Sequence, residues 1–475
     1  MPRFLALSLK CLLTNNGKLT DDHMMIAESL NKYFLTIADN IKRVTNRHAT
    51  GTDSANHTKY MNQAFIRPFP KIHLNQTMYK EIESVIGSFK PKSSNGYDEI
   101  SVKILKFTAP FISSPLAYIC NRAFVTGVFP TRLKYSVIKP LFKNGDKTNM
   151  SNYRPISLMT SFSKVFEKII YIRMHRHVLN NNILAKDQYG FRSKSSTEIA
   201  TYELVNEVLN ALNNGMFVGG IFCDLKKAFD CVNHDILLSK LEFYGVADKA
   251  GALIKSYLAD RHQRVVVNNG LRYSEWGEIK NGVPQGSILG PLLFLLYIND
   301  LPYIISNKSK PVIFADDTSI VITNPRSADY EFKASLIFKN INDWFQDNLL
   351  SLNFEKTHFI EFLTKNRQPM DIHIEDDDDR IVNTTDTKFL GLIIDNTLSW
   401  NGHVDWLMSR LASACYAIIA LKSYMSQGTL TRCRGSTCMF RQGFKSSGGV
   451  RRVCFVQLHT YVITPIIIDG FAVDC

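Results

Sequence analysis

At 475 residues the chain is long enough for two or three domains and a substantial core. Hydrophobic residues make up 45% and charged residues 21%, the balance of a folded protein rather than of a chain too polar to collapse. The formal net charge of +13 suits a polyanionic partner, because each phosphate neutralised releases a counterion; a basic surface kept only for solubility gives the same sum.

Nine cysteines are scattered without paired spacings, and an odd number does not make a disulfide framework. Reduced thiols in the nucleus or cytoplasm are therefore expected. Residues 4–13 are mostly apolar, but Lys10 interrupts them and no small-residue cleavage site precedes Asn15-Asn16-Gly17, so secretion is not expected. The apolar run 288–298 contains Gly290 and Pro291 and ends at Asn299-Asp300. It is too short to span a bilayer and reads as a buried helix; no membrane partner is expected.

In chain order, residues 20–43 carry Met24, Ile26, Leu30, Phe34, Ile37 and Ile41 at helical spacing. Residues 45–77 are polar and without pattern, which predicts a linker or loop. A short helix is expected at 78–89, before the turn chemistry of Lys90 to Gly96. Residues 161–179 form a basic amphipathic helix, with Phe162, Val165, Phe166, Ile169 and Ile172 inward and Lys164, Lys168, Arg173 and Arg176 on the remaining face. Residues 218–222 read as a strand ending at Asp224. The segments 265–267 and 273–278 suit a strand pair turning through Asn268-Asn269-Gly270. Two apolar strands, 311–314 and 319–322, flank Ala315-Asp316-Asp317-Thr318 as a tight hairpin with acids at its tip. Residues 336–350 are helical, while 350–354, 359–362 and 389–394 are strand-like. Glu375 to Asp379 is an acidic loop, and 403–425 an amphipathic helix. Beyond Gly428 the periodicity fades, and four of the nine cysteines fall in 433–475.

The chemistry concentrates in three carboxylates. Asp224 ends one strand, and Asp316-Asp317 sit in a strand–turn–strand that a fold can bring to it. Nucleotidyl transfer needs two divalent cations about 3.5–4 Å apart, and hard cations choose carboxylate oxygens and substrate phosphates. A lone Asp-Asp pair is more often a surface turn; what raises it here is the surrounding sequence.

Phe222-Cys223-Asp224-Leu225-Lys226-Lys227-Ala228-Phe229-Asp230 resembles the first palm motif of reverse transcriptases. Gly282-Val283-Pro284-Gln285-Gly286-Ser287, continuing to Ile298-Asn299-Asp300, resembles their Pro-Gln-Gly motif in its non-LTR form, and Phe314-Ala315-Asp316-Asp317 the third palm motif. Asn152 to Leu158 and Gln188-Tyr189-Gly190-Phe191-Arg192 are similar to fingers motifs, and Lys388-Phe389-Leu390-Gly391 to the palm–thumb border. Six matches in order over residues 90–420 resemble the jockey-like lineage of non-LTR (LINE) retrotransposons.

The resemblance implies an RNA-directed DNA polymerase that extends a DNA primer 3′-hydroxyl with dNTPs on an RNA template. It implies two Mg²⁺ ions, with Mn²⁺ as a substitute, bridged by Asp224 and Asp316, with Asp317 an outer ligand and the Leu225 carbonyl completing one shell. Phe229 matches the aromatic gate that excludes a 2′-hydroxyl; otherwise it is a core ring. Arg154 and Lys143 are candidates for the triphosphate, with Lys139 hard to separate from Lys143. Gln285 and Gly286 would form a bend at the nucleotide. Lys356 matches a general acid for pyrophosphate, or is a snorkelling surface lysine. The implied fold is an α/β (α+β) right hand. A partly helical extension over 1–89 precedes fingers and palm over 90–394, a helical thumb-like segment over 395–427, and a divergent tail over 428–475.

Neither an endonuclease constellation in the first 90 residues nor a ribonuclease H domain is expected, and the tail reads as a shifted frame or eroded end. Cys433, Cys438, Cys454 and His459 match no common zinc spacing. Two other readings stay open: an inactive nucleic-acid-binding relic, or a group II intron maturase or telomerase-like enzyme. The oligomeric state is not legible.

Overall fold

The computed structural model describes residues 12–13, 19–45, 56–66, 68–92, 94–306, 309–364, 367–370, 372–376, 379–421, 452–458 and 461–468. They divide into two units interleaved along the chain. The first holds the residues up to Ala185 with Leu225–Ile304 and Asn342–Leu352; the second holds Lys186–Asp224, Ile305–Ile341 and those from Asn353 onward.

In the first unit, strand Tyr135–Phe142 pairs antiparallel with Tyr153–Met159 and parallel with Arg261–Val267, which also pairs with Arg272–Tyr273 and Gly277–Ile279. Alternation in Tyr153–Met159 buries Tyr153, Pro155, Ser157 and Met159 and turns Arg154 outward. Helix His23–Thr45 packs on this sheet; Asn31 donates to the Glu275 carbonyl at 2.9 Å and accepts from Gln263 at 3.2 Å. Helix Ser161–Asn180 starts at Thr160, whose hydroxyl accepts from the Ser163 amide at 3.0 Å.

The interior of this unit holds a charged pair. Lys240 Nζ lies 2.6 Å from Asp300 Oδ1, and both side chains are fully buried. Each is hydrogen-bonded further: Lys240 also donates to the Tyr297 carbonyl at 2.7 Å, and Trp344 Nε1 to Asp300 Oδ2 at 3.0 Å. Burial pulls the Lys240 pKa down while Asp300 opposes it.

The second unit is built on a five-stranded sheet in the order Val382–Asn383, His358–Phe362, Phe217–Cys223, Asp317–Asn324, Lys310–Phe314. One face of the central strand presents Val218 and Phe222. With Val312, Val321, Ile360 and Phe362 these side chains form a core against Ala200, Leu204 and Val208 of helix Thr197–Asn213. Each fully buried aliphatic side chain of this kind contributes roughly 1.5–3 kcal/mol.

Several expectations are corrected. Residues 56–64 are helical, not loop: Tyr60 and Met61 are buried, and Tyr60 donates to Asp347 at 2.7 Å. Two apolar anchors in nine residues are too few to show a period. Arg173 is not on a solvated face; it is buried and forks onto Glu81 at 2.6 and 2.7 Å. Residues 389–394 are not one strand but a hairpin, Asp386–Phe389 with Leu392–Asp395, turning at Leu390 and Gly391. Glu375–Asp376 and Asp379–Arg380 pair as short strands where an acidic loop was expected, with Arg380 3.6 Å from Glu375. Residues 350–354 make only the single bridge Leu225–Leu352 rather than a strand. Cys433, Cys438 and His459 lie outside the described residues, and of Cys454 only the backbone strand is described.

Replacing Lys240 by Met should lower stability by about 3–5 kcal/mol, because the Asp300 carboxylate would stay buried without its counter-charge. Denaturant unfolding of the variant beside the parent chain measures this; a loss under about 1 kcal/mol would show that water reaches the pair.

Candidate active site

In the second unit the register Thr318↔Cys223 brings the ends of two neighbouring strands level, so one further step sets Asp317 beside Asp224 on the same face. Phe314 pairs with Asp317, which leaves Ala315 and Asp316 as a two-residue turn. Asp317 is exposed, and Asp224 and Asp316 are part-exposed.

Ala315 has φ +58°, a left-handed backbone that costs an L-residue with a side chain about 1–2 kcal/mol. The segment Asp187 to Gly190 runs along the Lys310–Phe314 strand, through Ile313 N to Asp187 O at 2.9 Å and Tyr189 N to Ile313 O at 2.7 Å. Gln188 and Gly190, matched in sequence to a fingers motif, thus pack on the turn that carries the carboxylates.

Asp224 is held from residues that the sequence reading left without a role. Asn353 Nδ2 donates to Asp224 Oδ2 at 3.1 Å, and the Asn353 amide donates to the Asp224 carbonyl at 2.8 Å. The Asp224 amide donates to Thr357 Oγ1 at 3.3 Å. Lys356 Nζ stands 3.7 Å from Asp224 Oδ2, so the structure does bring this predicted residue to the carboxylates. Only a carboxamide three residues before the lysine, Asn353-Phe354-Glu355-Lys356, could have signalled the clamp.

The donors at this sheet end are carboxylates with access to solvent. That suits hard divalent cations, which keep waters and substrate phosphates among their ligands. Among the described residues no group of three or more His, Cys, Asp or Glu side chains is placed to hold a metal ion.

The other predicted residues belong to the first unit. Arg154 lies opposite Leu141 in the strand pair, and alternation puts Lys139 on the same face; Lys143 follows the strand end, its amide donating to Asn152 O at 2.9 Å. The Leu225–Leu352 bridge is made by neighbouring residues, among them Lys226 N to Ser351 O at 2.9 Å, and so uses neither the amide nor the carbonyl of Leu225. The Phe229 ring is part-exposed and stacks on the buried Phe294, with centroids 4.3 Å apart and planes at 18°.

Gln285 Nε2 donates to both Asp230 carboxylate oxygens at 2.9 Å, and Gln285 O accepts from Ser157 N at 2.8 Å. Burial pushes the Asp230 carboxyl up to about 6, against the Gln285 hydrogen bond and the charges of Lys227 and Arg154. Gly286 has φ +113°, and a Cβ there would come within 3.0 Å of the Ser157 carbonyl, so its lack of a side chain serves the protein's own packing. The buried Glu167 accepts from the Ile288 amide at 2.6 Å and anchors the start of helix Gly290–Tyr297; burial raises its pKa. Asp230 and Glu167 were missed because a single acid in a motif or a basic helix shows no spacing.

Comparison with known proteins follows the same lines. The family model "Reverse transcriptase (RNA-dependent DNA polymerase)" matches residues 143–394. The chain is 31% identical over 332 residues to the probable RNA-directed DNA polymerase from transposon BS of Drosophila melanogaster, covering 68% of this chain and 36% of that protein. It is 28% identical over 353 residues to the probable RNA-directed DNA polymerase from transposon X-element, and 26% over 354 residues to that from mobile element jockey, both of Drosophila melanogaster. Each of the latter alignments covers 73% of this chain and 38% of the relative, so the chain spans little more than a third of these proteins. With the family model covering more than half of its length, the chain belongs to the reverse transcriptase family, in the company of non-LTR retrotransposon polymerases.

Proposed function

We propose that the chain is an RNA-directed DNA polymerase of a jockey-like non-LTR retrotransposon, extending a primer 3′-hydroxyl with dNTPs on an RNA template. The observation that carries the reading is the Thr318↔Cys223 register, which sets Asp224 beside the Asp316–Asp317 turn at one sheet end. In right-hand terms, residues 90–394 are fingers and palm. Helix Asn401–Leu421 begins a thumb-like segment, expected over 395–427, and residues 428–475 form a divergent tail.

Asp224 and Asp316 would hold two Mg²⁺ ions, with Asp317 outside them and the Leu225 carbonyl as a further ligand. When bound, such ions favour the deprotonated primer hydroxyl and offset charge on the triphosphate and leaving pyrophosphate. Asn353 keeps Oδ2 of Asp224 engaged, which fixes the carboxylate plane. Lys356 would donate a proton to the leaving pyrophosphate. In the first unit, Arg154 and Lys143 would bind triphosphate oxygens, the guanidinium as a fork and the ammonium as a point charge. Phe229, braced by Phe294, would support the sugar and leave no space for a 2′-hydroxyl, beside the bend at Gln285 and Gly286.

With purified chain, RNA template, DNA primer, Mg²⁺ and dNTPs, extension is expected and should fall by about a hundredfold or more in Asp316→Asn. Template–primer binding without extension by the parent chain would instead support the inactive relic. Phe229→Val should improve ribonucleotide incorporation relative to dNTPs by roughly tenfold or more, read as the ratio of kcat/KM values. An unchanged ratio would remove the gate assignment.

A further inference from the structure

We propose that Gln188 is a positioning residue for the carboxylate turn, its side-chain oxygen holding Ala315 in the left-handed conformation that directs Asp316 and Asp317. The inference rests on the polymerase reading above and gives a role to a residue which that reading leaves unused.

Gln188 Oε1 accepts from the Ala315 amide at 2.9 Å and from the Gly190 amide at 2.8 Å. Both partners are N–H donors, so the carboxamide can face them only with its oxygen. The side chain is 3% exposed, which shields these hydrogen bonds from exchange with water.

The segment bearing Gln188 is itself fixed at both ends. Asp187 accepts from Lys310 Nζ at 2.8 Å, and Arg192 donates to the Gln188 carbonyl at 3.1 Å. Gln188 pairs with Ile313 in a parallel bridge, so its position along the strand is set by backbone and not by side-chain packing alone.

Gly190 makes the approach possible: a Cβ there would lie 2.3 Å from the Ala315 amide nitrogen and 3.0 Å from its Cα. A two-residue hairpin with positive φ in its turn normally uses Gly, Asn or Asp at that position. Here the residue is Ala315, at φ +58°, directly before the two acids. The acceptor that Gly, Asn or Asp would make unnecessary is supplied by Gln188.

The test uses the full chain with Gln188→Met, which keeps volume but removes the acceptor. Primer extension gives kcat and the KM for dNTP. Mn²⁺ affinity is read separately, from the free-ion EPR signal without nucleic acid or nucleotide. Gln188→Met should lower kcat about tenfold with KM within about twofold, and weaken Mn²⁺ binding severalfold, because a turn no longer held misdirects its carboxylates. A folded Gln188→Met with kcat and Mn²⁺ affinity within twofold of the parent overturns the proposal.

Adding Ala315→Gly should restore at least about a third of parental kcat, since glycine takes left-handed backbone unaided. A double variant that is no more active than Gln188→Met, or does not fold, also overturns it. Asp316→Asn runs alongside. Extension by the parent and not by Asp316→Asn keeps the polymerase reading whatever Gln188 does. A parent chain that extends no primer removes that reading and leaves Gln188 to be judged on Mn²⁺ affinity.

Discussion

The pairing of Thr318 with Cys223 is the constraint on which the candidate site depends. Side chains alternate along a strand, so a slip of one residue would move Val321 off the core face and carry Asp317 to the other side of the sheet. Burial enforces the register. Val218 and Phe222 on the central strand, Val321 beside them, and Ile360 and Phe362 on the far neighbour all belong to one buried cluster. A slip would expose several such side chains, each stabilising by roughly 1.5–3 kcal/mol, which far exceeds what any single hydrogen bond at the site contributes. The placement of two acids is thus a consequence of where aliphatic side chains lie.

The first unit solves a different problem. Its ion pair Lys240–Asp300 is fully buried, and a pair of this kind often stabilises no more than apolar residues of the same shape would. What it adds is direction. Asp300 accepts from Lys240 and Trp344, and Lys240 donates to the Tyr297 carbonyl, so the end of helix Gly290–Tyr297 is tied to two other helices in one geometry. The same helix is fixed at its start by Glu167 through the Ile288 amide. The bend at Gln285 and Gly286 therefore precedes a helix clamped at both ends by carboxylates inside the protein. If the bend meets a nucleotide as proposed, that rigidity serves it, because a group displaced by an ångström from its productive position loses most of its effect.

How much of this was legible in the sequence depends on whether a feature is periodic or single. The long helices at 20–43 and 161–179, the acid-tipped hairpin and the buried run near 290 announced themselves by apolar spacing, and all are present. Helix Val102–Thr126 gave no such signal: it carries Pro110 and Pro115 inside it, and Phe107, Phe111 and Tyr118 on its exposed side, which blurs the period. Helix Asn56–Ala64 holds on by two buried residues. At the candidate site, the acids and bases stood out in the sequence by their types, while the groups that contact them did not. Asn353, Gln188, Asp230 and Glu167 act through hydrogen bonds, and a hydrogen bond leaves no trace in composition or spacing. Arg173 shows the opposite error, since a basic residue on an amphipathic helix reads as solvated until Glu81 is seen to face it.

Turn geometry was hidden for a related reason. Sequence reading looks for glycine where backbone must turn left-handed, and several motifs here use other residues: Phe191 at φ +53°, Lys227 at +50°, Ala315 at +58° and Leu390 at +46°. Each such residue costs about 1–3 kcal/mol and persists only where its surroundings over-determine it. For Lys227 the surroundings are visible: its ammonium donates to the Ser151 and Tyr153 carbonyls at 3.0 and 3.1 Å, and its own carbonyl accepts from the Asp230 and Cys231 amides. For Ala315 they are Gln188 and the bare backbone of Gly190. Glycine at either position would relieve the strain but also release the turn into other conformations, since glycine loses more freedom on folding than any other residue. A strained residue held by neighbours has one conformation where a relaxed one has several, and the two acids that follow Ala315 take their direction from it.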